Sequence, residues 1–156
     1  MMDLVDLFSA DLMALEVEVA SQKELFQFVS KELIRQDYVF DNYVSGIIKR
    51  EEEFPTGLMT KYLPIGLPHS DVQDVKRPFI YFCRLKKGIK FHQMGDNQPM
   101  MVRDVFFLGI KEPKKQVVLL ATMMTLFADQ FFVDKLVQSR TRAAIMSTIK
   151  EFQLLV

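Results

Sequence analysis

Pro78-Phe79-Ile80-Tyr81-Phe82-Cys83-Arg84-Leu85 is the strongest strand in the chain by composition, dense in β-branched and aromatic residues. A second strand is predicted from Met101 to Ile110, centred on Val105-Phe106-Phe107-Leu108. Between the two, Gly88, Gly95, Asp96, Asn97 and Pro99 mark turns. Upstream, Leu63-Pro64-Ile65-Gly66-Leu67-Pro68 carries two prolines, each lacking a ladder donor. It is therefore excluded from a central position and is expected as a short edge strand. Leu12 to Val19 partly alternates, with Leu15, Val17 and Val19 apolar and Glu16 and Glu18 polar, which predicts a half-buried strand.

Helical signals lie on both sides of these strands. Ser21-Gln22-Lys23-Glu24 has capping-box form, and Leu25, Phe28, Val29 and Leu33 follow on one stripe of a helix that should end near Asp37. A second helix is predicted from Phe40 to Glu53, with Tyr43, Val44, Ile47 and Ile48 inward and Pro55 as its stop. Its last turn, Arg50-Glu51-Glu52-Glu53, sets three carboxylates against the negative end of the helix. Such a conflict reads either as a functional demand or as a solvated surface. From Gln116 the pattern is helical again. Val117 to Phe127 is apolar almost all round, which predicts a buried helix, and Leu119 to Phe127 reads as core. A last helix begins after Arg140 with Ala143, Ala144, Ile145, Ile149 and Phe152. Helices, then strands, then helices predict one layered α/β or α+β domain over residues 1–156.

The totals narrow the class. A chain of 156 residues buries roughly 70% of its unfolded surface and needs no staples. Formal net charge is zero, which argues against a nucleic-acid partner. One cysteine allows no internal disulfide and points to a reducing compartment. No apolar run approaches the roughly 20 residues of a membrane span, and Met1-Met2-Asp3 does not begin a secretory signal. A cytoplasmic protein with no direct membrane insertion is expected.

The chemistry narrows further. There is no Walker loop, no Gly-x-Gly-x-x-Gly and no Gly-x-Ser-x-Gly. His69, His92 and Cys83 are too scattered to make a zinc site. What remains is Pro68-His69, an imidazole placed directly after a φ-locked proline. Such a histidine can shuttle a proton, ligate a metal or carry a group, and it can equally be packed against a backbone carbonyl at a strand end. If it works, it is expected to work without a cofactor. His92 reads as a surface histidine and Cys83 as buried filler. Asp71 and Asp74 either orient the imidazole or solvate its loop.

Arg50-Glu51-Glu52-Glu53-Phe54-Pro55-Thr56-Gly57-Leu58, Ile65-Gly66-Leu67-Pro68-His69, Val75-Lys76-Arg77-Pro78, Phe91-His92-Gln93-Met94-Gly95 and Gln116-Val117-Val118-Leu119-Leu120 recur in this order. Together they resemble the enzyme IIA family of the bacterial phosphoenolpyruvate-dependent sugar phosphotransferase system, fructose/mannitol type. The resemblance runs from about Leu12 to Leu154, and the Phe-x-x-Met-Gly block is most like the galactitol-type branch.

That resemblance implies a mixed sheet of about five strands flanked by helices, and a phosphoryl relay. His69 would accept the group from the phosphocarrier protein HPr as a tele-phosphohistidine. It would then pass the group to a cysteine of a cognate IIB component, with IIC engaged indirectly. Arg50 would steady the phosphoryl oxygens, and Thr56, Ser70 and Gln116 would bind them. Many mannitol-type members carry a second histidine where this chain has Gln116, preceded by Lys114 and Lys115. A glutamine can donate to phosphate but cannot titrate, while the helix N-terminus still favours an anion. Docking is expected to be transient and to use Leu58, Met59 and Leu63. The sugar is expected to be galactitol-like or of the fructose/mannitol class. A second output fits the same residues, a nitrogen-type regulator phosphorylated on His69; a third reading, a non-catalytic interaction domain like those of anion transporters, is one that Arg50 and His69 argue against.

Overall fold

The computed structural model describes residues 3–152. Five strands form one mixed sheet: β1 (Met13–Val17), β2 (Gly57–Met59), β3 (Pro64–Gly66), β4 (Phe79–His92) and β5 (Pro99–Gly109). Their order is β1-β4-β5-β3-β2. β4 and β5 pair antiparallel through the aromatic run, with Phe82 opposite Phe106 and Tyr81 opposite Phe107. β1 joins β4 in parallel, β3 joins β5 in parallel, and β2 closes antiparallel on β3.

Five α-helices cover the sheet: α1 (Gln22–Arg35), α2 (Tyr43–Glu53), α3 (Pro113–Phe127), α4 (Gln130–Gln138) and α5 (Arg142–Glu151). Alternation along β4 and β5 sorts the core into two layers. Ile80, Phe82, Phe106 and Leu108 pack with α3, α4 and α5. Phe79, Tyr81, Cys83, Val105 and Phe107 pack with α1 and α2. The result is the layered α/β architecture expected from the order of elements, with the five-stranded mixed sheet that the resemblance implied. Among the described residues no single helix is long and apolar enough to cross a membrane.

Local chemistry explains most boundaries. Ser21 Oγ accepts the Glu24 N–H at 3.2 Å, while the Glu24 carboxylate reaches back to the Ala20 N–H at 2.9 Å. α1 stops at Arg35, and Asp37 follows with a positive φ of 64°. Its inward stripe takes Phe26 rather than Phe28, whose ring is exposed. α2 begins at Tyr43, the first residue of its stripe and three residues after the expected start at Phe40, and ends before Pro55.

Three expectations are corrected, and one helix is added that the sequence reading did not contain. β3 is not an edge: it pairs on both sides, because Pro64 occupies its first position and Pro68 lies beyond it. Gly88 lies inside β4, where the register shifts, rather than in a turn. α3 buries only Leu119, Met123, Leu126 and Phe127, leaving Val117 68% exposed along with Val118 and Met124. α4 went unread; Asp129 starts it by accepting the Phe131 and Phe132 N–H groups. Its far end is held by Arg84, which donates to the carbonyls of Ser139 at 2.7 Å and Leu136 at 3.1 Å. The same guanidinium donates to Asp104 Oδ1 at 2.8 Å, so this buried pair ties the sheet to the helical layer.

Candidate functional site

The site lies beyond the C-terminal end of β3. Gly66 is the last residue of that strand, and a Cβ there would stand 2.5 Å from the Phe91 ring. Glycine at 66 therefore admits a core phenylalanine, not an incoming partner. The chain then crosses toward β5, where the Leu108 N–H donates to the Pro68 carbonyl at 3.0 Å and His69 bridges Leu108. Pro68 has fixed φ and no N–H of its own, and its carbonyl is now fixed as well. His69 is thus set on a short segment bonded at both ends.

The ring is nearly enclosed, with 9% of the residue exposed. His69 Nδ1 lies 2.9 Å from the Leu67 carbonyl. A carbonyl can only accept, so Nδ1 carries the proton and Nε2 keeps its lone pair. Burial pushes the imidazole below its ordinary value of 6.5. The Leu67 bond and Asp71 raise it, and the Arg50 charge lowers it further, with the net shift downward. A neutral ring with a free Nε2 is the form of a nucleophile rather than of a cation.

Arg50 stands in the last turn of α2, and its charge acts on the His69 ring. It does not pair with a glutamate of its own helix. Its Nη1 donates to Asp71 Oδ1 at 2.9 Å, and its guanidinium lies 5.3 Å from the centre of the Phe54 ring. Arg50 Nε is buried and has no hydrogen-bond partner among the described residues. The guanidinium is therefore positioned by one edge and one face, with donors to spare for an anion.

The other expected groups separate. Thr56 is buried, and its hydroxyl is engaged with Glu51 Oε1 at 2.6 Å, which holds it away from a phosphate. Ser70 is buried next to His69, and its hydroxyl reaches the Asp71 carbonyl at 3.2 Å. Gln116 is half-buried in the first turn of α3, which follows the end of β5 that His69 bridges. Lys115 beside it pairs with Glu112 at 3.4 Å. Leu63 and Met59 lie at the other end of the β2–β3 pair from His69, while the exposed Phe54 sits beside Arg50. His92 ends β4, half-buried, and Cys83 is fully buried with its thiol pushed up to about 12.

Glu51 was missed. It is 6% exposed in a run that reads as a charged surface. Its Oε2 accepts the Thr56 N–H at 2.9 Å and its Oε1 the Thr56 hydroxyl. Burial lifts its carboxyl to about 7, with the Thr56 bonds and the Gln22 side chain pulling the other way. The signal available in sequence was the clash of three glutamates with the helix end, since a buried and partly protonated one escapes that clash.

Comparison with known proteins places the chain in a family. Residues 6–152 match the family model described as phosphoenolpyruvate-dependent sugar phosphotransferase system, EIIA 2. The galactitol-specific EIIA component of the phosphotransferase system from Escherichia coli K12 is 29% identical over 104 residues, covering 67% of this chain and 69% of that protein. Two solved structures share the fold at 20% identity. Nitrogen regulatory protein IIA-Ntr from Neisseria meningitidis has a TM-score of 0.75, over 94% of this chain and 98% of that one. The complex of enzyme IIA-Mtl with phosphorylated enzyme IIB-Mtl from Escherichia coli gives 0.72, over 92% and 97%. The chain belongs to the EIIA 2 family of phosphoenolpyruvate-dependent sugar phosphotransferase systems, a family of phosphotransfer proteins.

Proposed function

We propose that this chain is the cytoplasmic IIA relay of a galactitol-like polyol or sugar uptake system. It takes a phosphoryl group from phospho-HPr on His69 Nε2 and gives it to a cysteine of a cognate IIB component, which serves a membrane IIC. The observation that carries the reading is the bond from Nδ1–H to the Leu67 carbonyl, which leaves Nε2 as the nucleophilic atom.

In the first step the Nε2 lone pair attacks phosphorus in line. The N–P bond of phospho-HPr breaks, and its electron pair returns to the donor imidazole. The proton on His69 Nδ1 stays where it is, so the phosphorylated ring is cationic and the Leu67 carbonyl steadies it. Arg50 offers its unused N–H groups to the equatorial oxygens, where such transfers gather charge. Gln116 is the secondary donor, since the buried Ser70 hydroxyl already donates to the Asp71 carbonyl. In the second step the IIB thiolate attacks, the Nε2–P bond breaks, and the pair returns to Nε2. No proton has to move on this chain in either direction, which suits a group that must leave as easily as it arrived.

The test uses phosphoenolpyruvate, enzyme I and HPr. Wild-type chain should gain one acid-labile phosphoryl group, and a His69→Ala chain none. Labelling of the variant at the wild-type level would sink the assignment. Transfer onward to a IIB encoded beside this chain separates uptake from a purely regulatory output.

A further inference from the structure

We propose that Glu51 is a positioning residue for His69, acting through the backbone of Thr56 and Leu67. The proposal rests on the phosphoryl-acceptor reading of His69.

The contacts form a continuous series. Glu51 Oε2 accepts the Thr56 N–H at 2.9 Å and Oε1 the Thr56 hydroxyl at 2.6 Å, so both carboxylate oxygens are spent on one residue. The Thr56 carbonyl accepts the Leu67 N–H at 3.1 Å. The Leu67 carbonyl accepts His69 Nδ1–H at 2.9 Å. Thr56 and Leu67 each donate through their own N–H and accept through their own carbonyl, which belong to successive peptide groups joined at Cα, so the series couples by position: fixing one plane fixes where the next acceptor lies. The far end of this series chooses the imidazole tautomer.

The surroundings show why a carboxyl group is needed. After Pro55 the chain turns back from α2 into β2, and Thr56 is buried at that turn. The Thr56 N–H has no strand partner there. A buried N–H without an acceptor would relax by shifting the peptide. Any such shift carries the Thr56 carbonyl with it, and through Leu67 the atom that orients His69. Gly57 pairs with Gly66 next door, so the two segments move as a unit. Glu51 is also the neighbour of Arg50 in α2. One side chain thus indexes the helix that supplies the cation to the loop that supplies the nucleophile.

The experiment compares wild-type chain with Glu51→Ala and Glu51→Gln. Two quantities are read: the 15N signature of the His69 tautomer, and the single-turnover rate of uptake from phospho-HPr, with its dependence on HPr concentration. Glutamine retains an acceptor for the Thr56 N–H and a donor for its hydroxyl. Wild type and Glu51→Gln should show the Nδ1-protonated ring and similar rates. Glu51→Ala should show a mixture of tautomers and a maximal rate lower by about 10- to 100-fold, with half-saturation by HPr little changed. An unchanged tautomer in Glu51→Ala overturns the proposal even if the rate falls, and so does an unchanged rate. Failure of glutamine to rescue overturns it as well. Should Glu51→Ala not fold, Glu51→Asp withdraws the carboxylate by one methylene and carries the same two readouts. If wild type takes up no phosphoryl group, the acceptor reading fails on its own, while the tautomer measurement still decides the role of Glu51.

Discussion

Glu51→Gln should change how stability responds to pH, and the size of the change follows from the structure. Burial holds the Glu51 carboxyl at about 7 against an ordinary value of 4.5. Between those values the folded chain keeps a proton that the unfolded chain has released. Folding binds protons there, so stability falls as pH rises through the window and is level outside it. A rise of about 2.5 pKa units, at 1.36 kcal/mol each, comes to about 3 kcal/mol. That is a sizeable share of the roughly 5–15 kcal/mol that holds a domain together. Glutamine keeps the Thr56 contacts but cannot ionise. The assay is denaturant unfolding of both chains at about pH 4, 6 and 8, read as the difference between them, so that distant titrating groups common to both cancel. The variant should gain on the wild type by about 3 kcal/mol between the ends of that range, most of it between pH 4.5 and 7. A difference that stays flat would mean that Glu51 ionises as readily folded as unfolded. The account of a buried, partly protonated carboxyl would then be wrong.

Other substitutions test separate parts. Arg50→Lys keeps the charge but loses the fork that spans Asp71 and a phosphoryl oxygen, and should slow transfer from phospho-HPr by about 100-fold in a single-turnover assay. His69 should titrate below its ordinary 6.5 by NMR, and Arg50→Ala should raise its midpoint, since the arginine charge pushes it down. With a lowered pKa in the folded chain, the His69 contribution to stability is present above pH 6.5 and lost as pH falls through the folded value. Arg84→Ala strands the buried Asp104 and two helix-end carbonyls, and should cost about 3–5 kcal/mol in urea unfolding. Phe54→Ala should raise the HPr concentration needed for half-maximal rate, because Phe54 is 59% exposed beside Arg50, whereas Leu63→Asp should leave it unchanged.

The fold was legible where neighbouring residues carry the signal. Ser21 and Glu24 close their capping bonds within four residues, and Phe79 to Leu85 is a strand by composition alone. It was less legible where partners are distant. β3 reads as an edge because proline cannot donate, yet Pro64 takes the one ladder position where no donor is required and Ile65 is enclosed from both sides. α3 reads as buried because every turn is apolar, but only the sheet decides which side of a helix is covered. Val117, Val118 and Met124 face away from it. α4 is short and carries the exposed Phe131, which blurs its stripe, and its cap at Asp129 was the better clue.

The site divides along the same line. His69 stands out in sequence as an imidazole directly after a proline, while Arg50 enters only through the resemblance to the enzyme IIA family; the roles proposed for them call for a ring with two nitrogens and a fork with donors on two edges. Thr56 looked like a phosphate donor because hydroxyls near an active histidine often are, and only the approach of Glu51 shows that its hydroxyl is already engaged. Glu51 itself hides in plain view among three identical neighbours. What distinguishes it is that the chain returns over it after Pro55, a fact of the turn and not of the residue. A relay histidine meets two partners in succession and cannot rely on either of them to set its tautomer. Its orientation has to come from its own chain, and a backbone carbonyl supplies that only while the backbone is held. On the proposal above, the buried acid beside the arginine holds it through Thr56, while Asp71 and the Phe54 ring place the cation before any partner arrives.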